Sequence, residues 1–132
     1  MTPGIAGIGV DVVDIARFER VLERTPAFAA RVFSDEERDL PPRSLAARWG
    51  AREALRKAVG AAVGRARGIP TGLTLRDLAV TRTNAGAPTF ARGEQVDAAL
   101  AGLGIGALHL SLSHDGGVAV AMVVAERLKG DA

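Results

Sequence analysis

The stretch Arg48–Gly60, RWGAREALRKAVG, decides how the chain is read. It sits inside an alanine-, leucine- and arginine-rich run from Ser44 to Gly64 whose 3.6-residue pattern predicts the longest helix. Ser44 is the expected N-cap, and Gly64 to Gly68 a loose end. On that helix Glu53 and Lys57 stand four residues apart, on a face that also carries Trp49. Glutamate before lysine at this spacing is the favourable order, and an exposed pair of this kind contributes about 0.2–0.5 kcal/mol. Taken alone, the two residues read as a surface ion pair.

The segments around the helix give an α+β chain. Upstream, GIAGIGVDVVDI is rich in β-branched residues, and in a strand Ile8, Val10 and Val12 share one face while Gly7, Gly9 and Asp11 share the other. ARFERVLERTP follows as a helix with Phe18, Val21 and Leu22 on its apolar side and Pro26 beyond its end. SDEE has the form of a capping box, Ser34 with Glu37, so a short helix is expected there, stopped by Pro41 and Pro42. Downstream, LTLRDLAVTRT reads as a strand, NAGAP as a turn and GEQVDAALAGLG as a helix with Gly102 and Gly104 near its C-cap. ALHLSLSH, DGG and VAVAMVVAE then form a β-hairpin.

Length and composition bound the function. A chain of 132 residues without repeats or linkers fits one domain, 1–132, with a core of its own. Cysteine is absent, which excludes disulfides and thiolate metal sites. The longest nearly apolar run, Val118 to Ala125, is far short of a membrane span, and the N-terminus lacks a signal-peptide pattern. The expectation is a soluble, cytoplasmic protein without a membrane partner. Net charge is only +2, too little to suggest nucleic acid. Lys57 and Lys129 are the only lysines, and Arg17, Arg20 and Arg24 recur at helical spacing as one basic stripe. Such a stripe suits an acidic partner, or is simply a solvated helix face.

Three groups of residues carry possible chemistry. Asp11 interrupts an apolar strand beside glycines that leave room for a ligand, although an acid near a strand end also serves as a cap or arginine partner. Asp14, immediately before a helix, fits the capping role better. If Asp11 and Glu53 meet, two carboxylates from different elements suffice for Mg2+, which completes its octahedron with water and substrate phosphates. Lys57 is then placed to stabilise charge on a transferring phosphoryl group. On the hairpin, His109, Ser111 and Ser113 share one face, opposite Leu108, Leu110, Leu112 and His114. Ser113 and His114 end their strand at a glycine turn suited to phosphate oxygens, and no Ser-His-Asp triad is evident.

Taken in order, IGVDVVDIARFE, RWGAREALRKAVG, NAGAP and LHLSLSHDGGVAVA resemble the holo-(acyl carrier protein) synthases, the short branch of the phosphopantetheinyl transferases. The resemblance implies an antiparallel sheet with one long and several shorter helices. It also implies transfer of phosphopantetheine from coenzyme A to a serine of an acyl carrier protein, leaving adenosine 3',5'-bisphosphate. Asp11 and Glu53 match the family's metal-holding carboxylates, and Lys57 the lysine that contacts phosphate. Asn84, Gly86 and Pro88 match a loop near the adenine, while His109, Ser113 and His114 match coenzyme A contacts. Arg17 matches a first-helix arginine that meets the carrier, which gives the stripe with Arg20 and Arg24 a docking use. Arg52 stands where the family usually has lysine, and Ala87 replaces a lysine of the turn.

The short branch is typically a homotrimer with sites between subunits, so the same arrangement is expected here. Mg2+ is the expected cofactor, with Mn2+ possible. Two other readings use the same residues: a Mg2+-dependent phosphohydrolase with water as nucleophile, and a coenzyme A or nucleotide-binding module that docks an acidic protein without catalysis.

Overall fold

The structure, a computed structural model, describes residues 4–129. β1, Ile5–Asp14, runs directly into α1, Ile15–Arg24. The junction is set by Asp14, whose carboxylate accepts the Arg17 N–H at 2.9 Å, the capping role its position predicts. A further helix that the sequence pattern did not suggest, α2 (Ala27–Val32), begins after Pro26. It packs Phe28 against Phe18 and Trp49, with ring centroids 5.8 and 5.4 Å apart.

The long helix, α3, spans Pro42–Ala62. It starts ahead of the expected Ser44 cap because Pro42 occupies the first turn, where its missing N–H needs no partner. SDEE is a turn and not a helix: Glu37 receives the Ser34 N–H and hydroxyl, each at 3.0 Å, but its carboxylate is drawn inward to α3. The expected strand over LTLRDLAVTRT is also cut short. Thr74 and Asp77 cap a single 3-10 turn, Leu75–Asp77, and only β2, Val80–Arg82, is extended. β2 pairs with β3, Pro88–Phe90, across the NAGAP turn, where Gly86 has φ +89°.

α4, Glu94–Ala101, leads to the hairpin of β4, Ile105–Asp115, and β5, Val118–Arg127. The connection is Gly116-Gly117, both at positive φ, as a two-residue hairpin turn of matching twist requires. The main sheet is antiparallel in the order β1-β5-β4. Its inner face carries Ala121, Val123 and Ala125, which join Ala54, Leu55 and Ala58 of α3 in the core. None of the described helices is long and apolar enough to cross a membrane.

Strand β1 lies hard against α3. A methyl group on Gly9 would fall 1.8 Å from the Ala54 carbonyl oxygen, and one on Gly7 would fall 2.0 Å from that of Ala58. The glycines therefore make room for a helix backbone, correcting the expectation that they leave space for a ligand. The opposite sheet face is apolar and open: Ile8, Val10, Val12 and Met122 are 51%, 53%, 62% and 44% exposed.

Candidate active site

Close packing of β1 on α3 brings Asp11 to the helix at the level of Glu53 and Lys57. The Lys57 ammonium donates to Asp11 Oδ1 at 3.1 Å and to the Val10 carbonyl at 2.9 Å. The i, i+4 pair suggested by the sequence does not form. Glu53 instead accepts Arg56 at 2.9 Å, one turn further along the same helix. Glu53 is 8% exposed, and both carboxylates are sheltered although open to one cavity of about 250 Å³. Asp11, Glu53, Arg17, Phe18 and Trp49 are among its walls.

Each carboxylate has one oxygen engaged by these pairs, Asp11 Oδ1 and Glu53 Oε2, which leaves a second oxygen on each for a ligand. Among the described residues no three or more His, Asp or Glu side chains gather as a metal cage. Two carboxylates facing a polar cavity are nonetheless the protein share that Mg2+ commonly takes beside a phosphate substrate. The donor set fits that ion.

Arg17 belongs to this cavity, whereas Arg20 and Arg24 continue along the exposed side of α1. The basic stripe thus runs from solvent to the acidic site.

The remaining expected residues lie elsewhere. Across the sheet, Asp11 aligns with Ala121 and then Leu112, while Val12 aligns with Val120 and then Ser113. Ser113 is therefore two strand spacings from β1, roughly 10 Å, and on the opposite face of the sheet from Asp11. His109 shares that outer face, its Nε2 2.5 Å from a Glu126 carboxylate oxygen. His114 points inward, into a second cavity of about 140 Å³ shared with Pro88, Arg48 and Arg82. Asn84 and Gly86 occupy the exposed turn next to Pro88.

Arg48 was not singled out by the sequence pattern. It is 7% exposed, and its buried Nε lacks a hydrogen-bond partner. Burial pulls its guanidinium below the ordinary value; Glu37 opposes this, and Arg82 and Arg52 add to it. Glu37 lies 3.7 Å from Arg48 Nε but binds Arg52 through both carboxylate oxygens, at 2.6 and 3.0 Å. One anion is thus shared by two buried cations, and a phosphate beside Arg48 would restore the balance. Arg52 itself is fully buried, turned away from Asp11 and placed over the Phe33 ring at 4.9 Å.

A sequence model described as the 4'-phosphopantetheinyl transferase superfamily matches residues 7–121, which contain Asp11, Arg17, Arg48, Glu53, Lys57 and His114. The chain belongs to this superfamily. Among its relatives in the family, a holo-[acyl-carrier-protein] synthase of Micrococcus luteus is 51% identical over 125 residues, covering 93% of each chain. One of Clavibacter sepedonicus is 49% identical over 122 residues, covering 92% of this chain and 96% of the relative. The crystal structure of the synthase from Neisseria meningitidis superposes with a TM-score of 0.79 at 32% identity, over 92% of this chain and 98% of that one. The Helicobacter pylori enzyme, solved in complex with coenzyme A, gives 0.73 at 30% identity, over 89% and 98%. The phosphopantetheinyl transferase fold, an antiparallel sheet with one long helix and shorter ones, is the fold of this chain.

Proposed function

We propose that the chain is a holo-(acyl carrier protein) synthase. It transfers 4'-phosphopantetheine from coenzyme A to a serine of an apo acyl carrier protein. The serine oxygen forms the new bond to phosphorus, the phosphoanhydride breaks, and adenosine 3',5'-bisphosphate leaves. The observation that carries this reading is the single cavity in which Asp11, Glu53 and Arg17 meet, with Lys57 bonded to Asp11. Relatives bearing that activity in their names match nearly the whole chain at about half identity.

Asp11 and Glu53 would hold Mg2+, with Mn2+ as a substitute, and the bound ion supplies neutralisation of the pyrophosphate charge. Lys57 moves from Asp11 to a phosphate oxygen and fixes the group for in-line attack. Asp11 or Glu53 would accept the serine proton. Arg17, Arg20 and Arg24 dock the acidic carrier and deliver its serine along α1 into the cavity.

Each chain holds two half-sites. The acidic cavity has no nucleotide wall, and the Arg48, His114 and Pro88 cavity, flanked by the Asn84–Gly86 turn, has no carboxylates of its own. Apposing the first on one subunit with the second on its neighbour gives a head-to-tail contact, which closes as a ring. The open Ile8, Val10, Val12 and Met122 face supplies apolar surface for that contact, and a homotrimer is the ring we assign. Ser113 and His109 on the same face then reach coenzyme A bound at the boundary. The reaction belongs in the cytoplasm, with neither nucleic acid nor membrane as partner.

Mixing the protein with apo carrier proteins from fatty-acid, polyketide and peptide synthesis, coenzyme A and Mg2+ tests the reaction. The expected result is a carrier heavier by one phosphopantetheine in the mass spectrum. No gain with any carrier would refute the transferase, and phosphate release without a carrier would instead identify a hydrolase.

A further inference from the structure

Of the three acidic groups that line the cavity, Asp14 caps α1 through the Arg17 N–H, and the other two each carry a counter-cation. Lys57 takes Asp11 and Arg56 takes Glu53, so the two carboxylates are balanced by two cations from adjacent positions of α3. The two cations differ in what else they touch. Lys57 also bonds the Val10 carbonyl, and a phosphate gives it an alternative partner. Arg56 bonds only Glu53, and its Nε is buried without an acceptor. Its guanidinium is pinned beside the carboxylate by the helix spacing of three residues.

A divalent cation approaching Glu53 therefore meets no net negative charge from Asp11 and Glu53 with their two cations, and meets repulsion from a guanidinium whose one side-chain partner is Glu53 itself. We infer that Arg56 sets the order of assembly: it keeps affinity for a free divalent ion low, so that the ion enters with the pyrophosphate of coenzyme A. Arg56 is thus a positioning residue acting through Glu53. The inference rests on the assignment of Asp11 and Glu53 as metal ligands. Its consequence is that the acidic cavity is not filled by stray divalent ions before substrate arrives.

The test is direct Mn2+ binding, followed by loss of the free-ion electron paramagnetic resonance signal, without carrier. In the wild-type protein coenzyme A should tighten Mn2+ binding at least about tenfold, because phosphate oxygens add the missing negative charge. Arg56→Gln should tighten binding to the coenzyme-free protein about threefold to tenfold, the range expected for removing a partly screened charge close to the ion. Arg56→Lys, which keeps the charge, should stay near wild type. Unchanged or weaker binding in Arg56→Gln would overturn the inference. Glu53→Gln separates the two levels: if it weakens Mn2+ binding while Arg56→Gln does not tighten it, only the role of Arg56 fails. If Glu53→Gln leaves binding unchanged, the metal site itself is wrongly assigned.

Discussion

Lys57 Nζ lies 3.1 Å from Asp11 Oδ1, across 46 residues of sequence, and this contact joins strand β1 to the middle of α3. Both side chains are partly exposed, so the pair contributes at most about 1 kcal/mol to stability. Lys57→Met is expected to leave urea unfolding nearly unchanged. Its transfer rate should fall at least about tenfold, as loss of a phosphate contact in the transition state predicts. A large loss of stability with normal turnover would reverse the assignment.

The approach of β1 to α3 leaves no room for a side chain at position 9, since a methyl group would sit 1.8 Å from the Ala54 carbonyl oxygen. Gly9→Ala must push the strand away and carry Asp11 with it. The expected cost is about 3 kcal/mol or more, read from denaturant unfolding, because backbone and not a flexible side chain has to move. Gly4→Ala, where nothing lies within 4 Å, is the matched control.

Burial pushes the Glu37 carboxyl up, but the Arg52 hydrogen bonds and charge, with the Ser34 and Val80 N–H groups, outweigh it and leave Glu37 below its ordinary value of 4.5. A lowered folded-state value stabilises the fold above 4.5, and that contribution is lost as pH falls through the folded-state value. Glu37→Ala should destabilise by about 3–5 kcal/mol at neutral pH, leaving Arg52 buried without its anion. The gap to wild type should narrow at acid pH, in unfolding measured at about pH 7 and about pH 3.5. A gap independent of pH would show that the carboxylate charge does not matter.

Carrier docking through α1 predicts a selective defect. Reversing charge at Arg17 and Arg20 should raise KM for the carrier about tenfold or more and flatten its dependence on salt, leaving KM for coenzyme A within about twofold. Equal effects on both substrates would refute a docking role for the stripe.

Much of this was legible in the sequence, for identifiable reasons. β1, α1, α3, α4 and the β4–β5 hairpin carry strong periodic or turn signals, and Asp11, Glu53 and Lys57 fall where spacing allows them to meet. Pairing within the site was not legible. Lys57 and Arg56 both lie within reach of Glu53 along the helix, and only the proximity of β1 diverts Lys57 to Asp11. SDEE misled because a capping box and a buried carboxylate that binds its own Ser34 N–H share one pattern. Arg48 and Arg52 look alike in RWGAREALRK, yet Arg52 is consumed by Glu37 while Arg48 Nε lacks a hydrogen-bond partner. Only the tertiary fold distinguishes them.

In the proposed ring one chain supplies the carboxylates and its neighbour the nucleotide wall. Subunit complementation tests it most directly: Glu53→Gln and His114→Ala proteins, each nearly inactive at coenzyme A below KM, are unfolded together, refolded as a mixture and assayed for transfer. Sites built from two subunits should recover about a quarter of wild-type activity, since random assembly pairs an intact acidic half with an intact nucleotide half at about one boundary in four. A mixture no more active than the two variants assayed apart would place the whole site within one chain and rule out a site shared between subunits.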